Sequence, residues 1–285
     1  MFSTEEPFLE ELETISLRLK RRDYAGYLSV RFAPIEQRAP LIWLFGFLMD
    51  VQQISLKVNE PLLGEIRLQW WRDQLLKLLR GEAVGHPVAD GLAPYFEKFG
   101  DPLFKELIAI VDSFRFEIQK EPIKTIDEFH EFLEKRFGSF LRAGLILTEA
   151  QFTSQDLICF EAGKAIGIAN VLSELDGYLH RDLMILPQDI MSKHNLFHED
   201  FLPENNEFKT KAKEKVLDGL TDGLMVVSWD IKAQMKLVPS KHKAFLSRWL
   251  LVPPLLTASK RERQKGLVGL TQLNPLRTFF TLYFK

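Results

Sequence analysis

Helical periodicity runs through nearly the whole chain, and no segment shows the sustained apolar/polar alternation bounded by Asn-Gly-type turns that half-buried strands and hairpins require. A chain patterned this way is expected to fold as an all-α protein. After Pro40, Leu41, Leu44, Leu48, Val51 and Val58 recur at three-, four- and seven-residue steps and predict one buried stripe. Pro61 suits a first helical position and Gly81 a C-terminal stop, bracketing a helix through residues 65–80. Thr125-Ile126-Asp127-Glu128 has capping-box form and opens an amphipathic run over 129–148, and a further helix is predicted over 155–179. Residues 187–206, with two prolines, read as a connection, after which helices resume over 207–238 and 241–251, the latter stopped by Pro253-Pro254. No repeat and no composition break marks a linker, so residues 1–285 are expected to form a single domain, with 187–206 as the alternative boundary.

Composition narrows the function. Thirty-seven Lys+Arg against 39 Asp+Glu leave a net charge of -2, with no basic excess to attract a phosphate backbone, so nucleic acid is not an expected partner. The one cysteine, Cys159, cannot form an intrachain disulfide and reads as a small buried hydrophobe in a reducing compartment. The longest unbroken apolar run, residues 41–49, falls short of the roughly 20 residues that span a bilayer, so no transmembrane segment is expected. The opening residues lack the blocks of a signal or transit peptide, and a cytoplasmic location is the expectation. The 23 Phe and 5 Trp suffice for an extended core or a lined pocket.

Carboxylates four residues apart stack on one helix face, and two such pairs facing each other can hold Mg²⁺ against a diphosphate. Such pairs recur here, including Glu117/Glu121, Asp127/Glu131 and Asp218/Asp222, but a composition this acidic produces them by chance. Asp218/Asp222, preceded by Lys211, Lys213 and Lys215, reads as solvated surface. His194 and His198 share the same spacing without a third ligand.

The most specific stretch is Glu65-Ile66-Arg67-Leu68-Gln69-Trp70-Trp71-Arg72-Asp73, preceded by Asn59-Glu60-Pro61-Leu62-Leu63-Gly64. It resembles the squalene/phytoene synthase family, in particular a branch that includes the mitochondrial complex I assembly-factor homologue and its bacterial relatives. Other segments are similar to the family too: Tyr24-Ala25-Gly26-Tyr27 through Arg38 at the entry helix, Phe137-Gly138-Ser139 at a central glycine helix, Gly167-Ile168-Ala169-Asn170 followed by residues 186–190, and Asn274-Pro275-Leu276-Arg277 near the end.

The resemblance implies an isoprenoid-synthase-like helical bundle around a central cavity. Active members join two prenyl diphosphates head to head, with Mg²⁺ held by two aspartate-rich motifs on opposing helices. The first motif falls on Gln52, Gln53 and Leu56 and retains no carboxylate; the second falls on Glu174, Gly177 and Tyr178 and retains one. Asp50 and Asp176 lie nearby but out of register. A departing diphosphate needs its developing charge matched in a water-poor site, so loss of most ligands is expected to abolish ionisation, leaving no catalytic residues and no metal or other cofactor. Tyr24, Tyr27 and Arg31 stand where the entry helix contributes to substrate binding, and with Trp70, Trp71 and Asn170 they are candidate cavity or ligand contacts. The plainer expectations are packing for the tryptophans, ion pairing with Glu65 and Asp73 for Arg67 and Arg72, and Arg181 capping Glu174 or Asp176.

The expected function is therefore binding without catalysis. By resemblance the partner is a respiratory complex I subunit, met peripherally at the inner face of the inner membrane, or a lipid or isoprenoid ligand kept in the old cavity. The alternatives are an active Mg²⁺-dependent prenyltransferase of the squalene/phytoene synthase type and an isoprenoid or lipid carrier.

Overall fold

The computed structural model describes residues 6–151, 155–201, 209–221, 231–255, 257, 258, 275, 278, 281 and 282. Asp222 and, at the C-terminal end of the resemblance, Asn274, Leu276 and Arg277 lie outside them. All regular structure among the described residues is helical. The helices are α1 (Glu6–Arg22), α2 (Tyr24–Arg31), α3 (Ile35–Lys57), α4 (Pro61–Leu79), α5 (Pro87–Asp112), α6 (Arg115–Gln119), α7 (Ile126–Leu133), α8 (Ser139–Leu147), α9 (Gln155–Leu179), α10 (Gln188–Ser192), α11 (Thr210–Thr221) and α12 (Ser240–Leu246). Short 3₁₀ segments occupy His198–Phe201 and Ser247–Leu251.

α3 is the centre of one half of the molecule, packing on α1, α2, α4, α5 and α8. Its buried side chains, among them Leu41, Trp43, Leu44, Phe45, Phe47, Met49 and Val51, go round the helix instead of forming the single predicted stripe. A helix that is apolar on all sides is an interior helix. It begins at Ile35 after Pro34, ahead of the predicted stripe, and carries Pro40 inside it. At 23 residues it also has the length and composition to cross a membrane, with 56% of the relevant window buried inside the molecule.

The other predicted boundaries divide between agreement and correction. α4 begins at Pro61 and ends just before Gly81, and α9 spans 155–179, both as the patterns indicate. The 187–206 connection holds the short α10 and a 3₁₀ turn. Within 207–238, helix is described over α11 and at 231–234, and the predicted 241–251 helix is α12 followed by a 3₁₀ segment. Pro253 and Pro254 do not stop the chain's helicity: residues 252–255 are helical, because a missing N–H costs nothing in a first turn. α5 went unpredicted as one element and is two helical halves meeting at Gly100, whose φ of 48° and ψ of -127° suit only a residue without a Cβ.

The predicted 129–148 helix is interrupted. Thr125 caps α7 through the Glu128 N–H at 3.2 Å, but α7 gives way at Glu134–Gly138 to a π-turn before α8 continues. Glu134 in that turn pairs with Arg142 at 2.6 Å, and Arg142 also bonds Glu106 of α5 at 3.0 Å. α9 runs against the turn so closely that a Cβ on Gly163 would lie 2.6 Å from Cα and N of Gly138. Two groups of buried apolar side chains result, one around α3, α4, α5 and α8, the other around α7, α9, α11 and the 183–201 segment.

Candidate functional site

The C-terminal end of α3 carries Gln52, Gln53, Ser55 and Leu56, and the second half of α9 carries Asn170, Glu174 and Tyr178. α6 and the π-turn bring two residues to these segments, Glu117 and Arg136. Glu117 is buried, and each of its oxygens takes a different arginine: Oε1 receives a short bond from Arg136 Nη1, and Oε2 receives Arg181 Nη1 at 3.1 Å. Ser55 reaches the same carboxylate from α3, while its hydroxyl also lies 3.1 Å from the Gln52 carbonyl. Glu117 thus touches the helix of the first motif and, through Arg181, the helix end of the second.

Arg136 is enclosed. Its Nε donates to Ser113 Oγ at 3.1 Å, its Nη2 to the Ser113 carbonyl at 2.8 Å, and its guanidinium lies over the Phe114 ring at 3.7 Å and the Phe132 ring at 4.6 Å. Phe114 belongs to the first apolar group and Phe132 to the second, so the cation sits at the join between them. Arg181 is more open, with 26% of its side chain exposed; it donates Nε to the Gly177 carbonyl and covers the Tyr178 ring at 4.9 Å. Burial works against the charge of Glu117, but Arg136 and Arg181 outweigh it and hold the carboxyl below its ordinary range. Glu174 goes the other way. Burial and the neighbouring Glu117 charge raise its pKa, against a weak bond from Asn170 Nδ2 at 3.4 Å. Burial and Glu117 raise the Tyr178 phenol as well.

These groups do not fit Mg²⁺. The ion prefers several oxygen ligands in octahedral array. Gln52 and Gln53 are half-buried amides, Leu56 is 46% exposed hydrocarbon, Gly177 offers no side chain, and the one well-ionised carboxylate is committed to two arginines. Among the described residues no group of three His, Cys, Asp or Glu converges to hold a metal. Asp50 pairs with Arg18 of α1 at 2.7 Å, and Asp176 lies near His180.

The remaining candidates disperse. Asn170 joins the site beside Glu174. Tyr24 and Tyr27 stack on each other at 6.2 Å, with Lys20 over Tyr27, and pack on a small group with Leu28 and Leu251; Arg31 is exposed. Trp71 is buried against Phe47 and His86, and Trp70, 40% exposed, packs edge-on against Trp71 and the same His86. Arg72 does pair with Glu65, at 3.1 Å, but its second partner is Asp112 instead of Asp73, and Arg67 is exposed, with no bonded acid among the described residues. Arg181 is committed to Glu117, not to Glu174 or Asp176. Cys159 is fully buried, and burial pushes its thiol far above the ordinary range. His198 lies 3.8 Å from Asp182 on a 3₁₀ turn.

Glu117 and Arg136 are the residues sequence reasoning missed as a pair. The signal was slight: Glu117 stood only in a common acidic i,i+4 pair, and Arg136 immediately precedes Phe137-Gly138-Ser139.

The family profile described as Squalene/phytoene synthase matches residues 19–223. The chain is 28% identical over 190 residues to the human protein named NADH dehydrogenase (ubiquinone) complex I, assembly factor 6, covering 66% of this chain and 56% of the human one. It is 23% identical to the Drosophila melanogaster homolog of that factor, over 92% of this chain and 80% of the other. Among solved structures, a dehydrosqualene synthase crystallised with a ligand superimposes with a TM-score of 0.79 at 13% identity, covering 97% of this chain and 95% of its own. A squalene synthase from Alicyclobacillus acidocaldarius does so at 0.76 and 15%, covering 90% and 96%. At those identities the likeness concerns the fold, and the helical bundle is isoprenoid-synthase-like.

Proposed function

Since the chain belongs to the squalene/phytoene synthase family, we propose that it works without the family's chemistry, by binding a protein partner during assembly of respiratory complex I. One observation carries the first half: between the two segments that would hold magnesium, the chain places a carboxylate neutralised by its own arginines, Glu117 with Arg136 and Arg181. A site so arranged has no ionised oxygen cluster to gather divalent cations, and without them a leaving diphosphate has nothing to offset its charge. The second half is supported by similarity to the assembly factors, which the chain matches over little more than half of the human protein's length. In this reading the protein needs no cofactor and acts peripherally at the inner face of the inner membrane, on a complex I subunit.

The test has two arms. Purified protein incubated with radiolabelled prenyl diphosphate, Mg²⁺ and NADPH is expected to release no pyrophosphate, and a deletion strain is expected to lose complex I activity. Steady turnover defeats this reading in favour of a prenyltransferase. Isoprenoid binding with complex I activity intact in the deletion strain defeats it in favour of a carrier.

A further inference from the structure

We propose that Arg136 and Arg181 form an anion site whose resident ligand is the chain's own Glu117, which stands in for a polyphosphate and keeps one out. This deepens the non-catalytic reading and rests on it. Two guanidinium groups converge on one buried carboxylate, one on each oxygen, with the Ser113 hydroxyl and carbonyl orienting Arg136 from behind. Charged N–H donors on each oxygen of an anion suit a phosphate as they suit a carboxylate. Neither arginine can discharge itself by losing its proton, and Arg136, 6% exposed at its side chain, cannot swing into water. The cations therefore require an anion at this place, and the fold supplies it from α6. Arg181, the partly open member, marks the side from which an external anion would arrive.

The position has a consequence for selectivity. A carboxylate fixed in the chain is held at high effective concentration, so a free anion with the same contacts competes poorly. Removing its charge reverses the balance. Glu174 is the next carboxylate to act on both arginines, so it is replaced too, to prevent it from taking over.

Wild-type protein, Glu117→Gln and the double variant Glu117→Gln/Glu174→Gln are titrated with inorganic pyrophosphate by calorimetry, without added metal. Their melting temperatures are followed in pyrophosphate and in sodium chloride of equal ionic strength. Wild type is expected to show no binding heat and a flat Tm. The double variant is expected to bind and to gain about 4 °C or more once pyrophosphate is about a hundredfold above its Kd. Adding Arg181→Gln is expected to abolish the gain. A folded double variant that ignores pyrophosphate, or a wild type that binds it equally well, overturns the proposal. If the double variant is unfolded in chloride, folding restored by pyrophosphate supports the proposal; a chain unfolded in both overturns it. These readouts need no turnover and no complex I, so their failure is separable from failure of the functional reading.

Discussion

Glu117 and Arg136 illustrate at the residue scale how a buried ion pair behaves. Desolvating two charges is costly, and removing one partner leaves the other buried and uncompensated, a loss of about 3–5 kcal/mol. Arg136→Ala, which leaves Arg181 as Glu117's remaining partner, is therefore expected to lower stability in urea unfolding by up to about 3–5 kcal/mol. Glu117→Leu/Arg136→Met together are expected to cost less than the two single changes summed, and additive losses in the double-mutant cycle would show that the two side chains do not act as a pair. A different residue contributes to the response to acid. His242 is buried beside Gln37, and burial followed by the Lys241 charge lowers its pKa from 6.5. The unfolded chain then binds the proton more readily, so stability falls as pH drops below 6.5 toward the folded-state value. His130, lowered by burial and Lys164, adds in the same direction. Glu174, with its raised pKa, acts in the opposite direction, so the histidine contribution is read by difference: between pH 7.5 and 5.5 the urea midpoint of His242→Gln is expected to fall less, or rise more, than that of the wild type, and identical shifts would remove His242 as a source.

At the scale of the element, the π-turn between α7 and α8 is the feature on which the site depends. It aims Arg136 at Glu117, is clamped by Glu134 to Arg142, and leaves Gly138 facing Gly163 of α9 without room for another atom. Because the obstructing atoms are backbone, a new side chain cannot be accommodated by a rotamer change. Gly163→Val is expected to cost about 1–3 kcal/mol and to disturb α9 where it meets the turn. The same substitution at Gly219 of α11, whose added Cβ would meet nothing within 4 Å, is the control, expected to be neutral or slightly stabilising because valine has the higher helix propensity. Sequence periodicity found the helical run and its Thr125 cap but not the turn. One wider turn leaves the apolar spacing nearly helical, and only packing against α9 reveals it.

On the scale of the whole molecule, two apolar groups meet at a charged seam between the helices that carry Gln52 and Glu174. Addition of Mg²⁺ at millimolar concentration, or of a chelator, is expected to move the Tm by no more than about 1 °C, since an ion that does not bind the native state cannot stabilise it. A rise that scales with Mg²⁺ would sink the non-catalytic reading. The sequence by itself determined the all-α class, the limits of α4 and α9, and the helices on which Gln52 and Glu174 stand, because spacing and capping are local and leave periodic traces. Glu117, Arg136 and Arg181 are separated by 19 and 64 residues along the chain in their bonds to one carboxylate, and nothing local distinguishes them from surface charges. Only the tertiary structure decided that they meet: burying the faces of α6, α9 and the π-turn brings Glu117 into a water-poor space where two guanidinium groups keep it ionised.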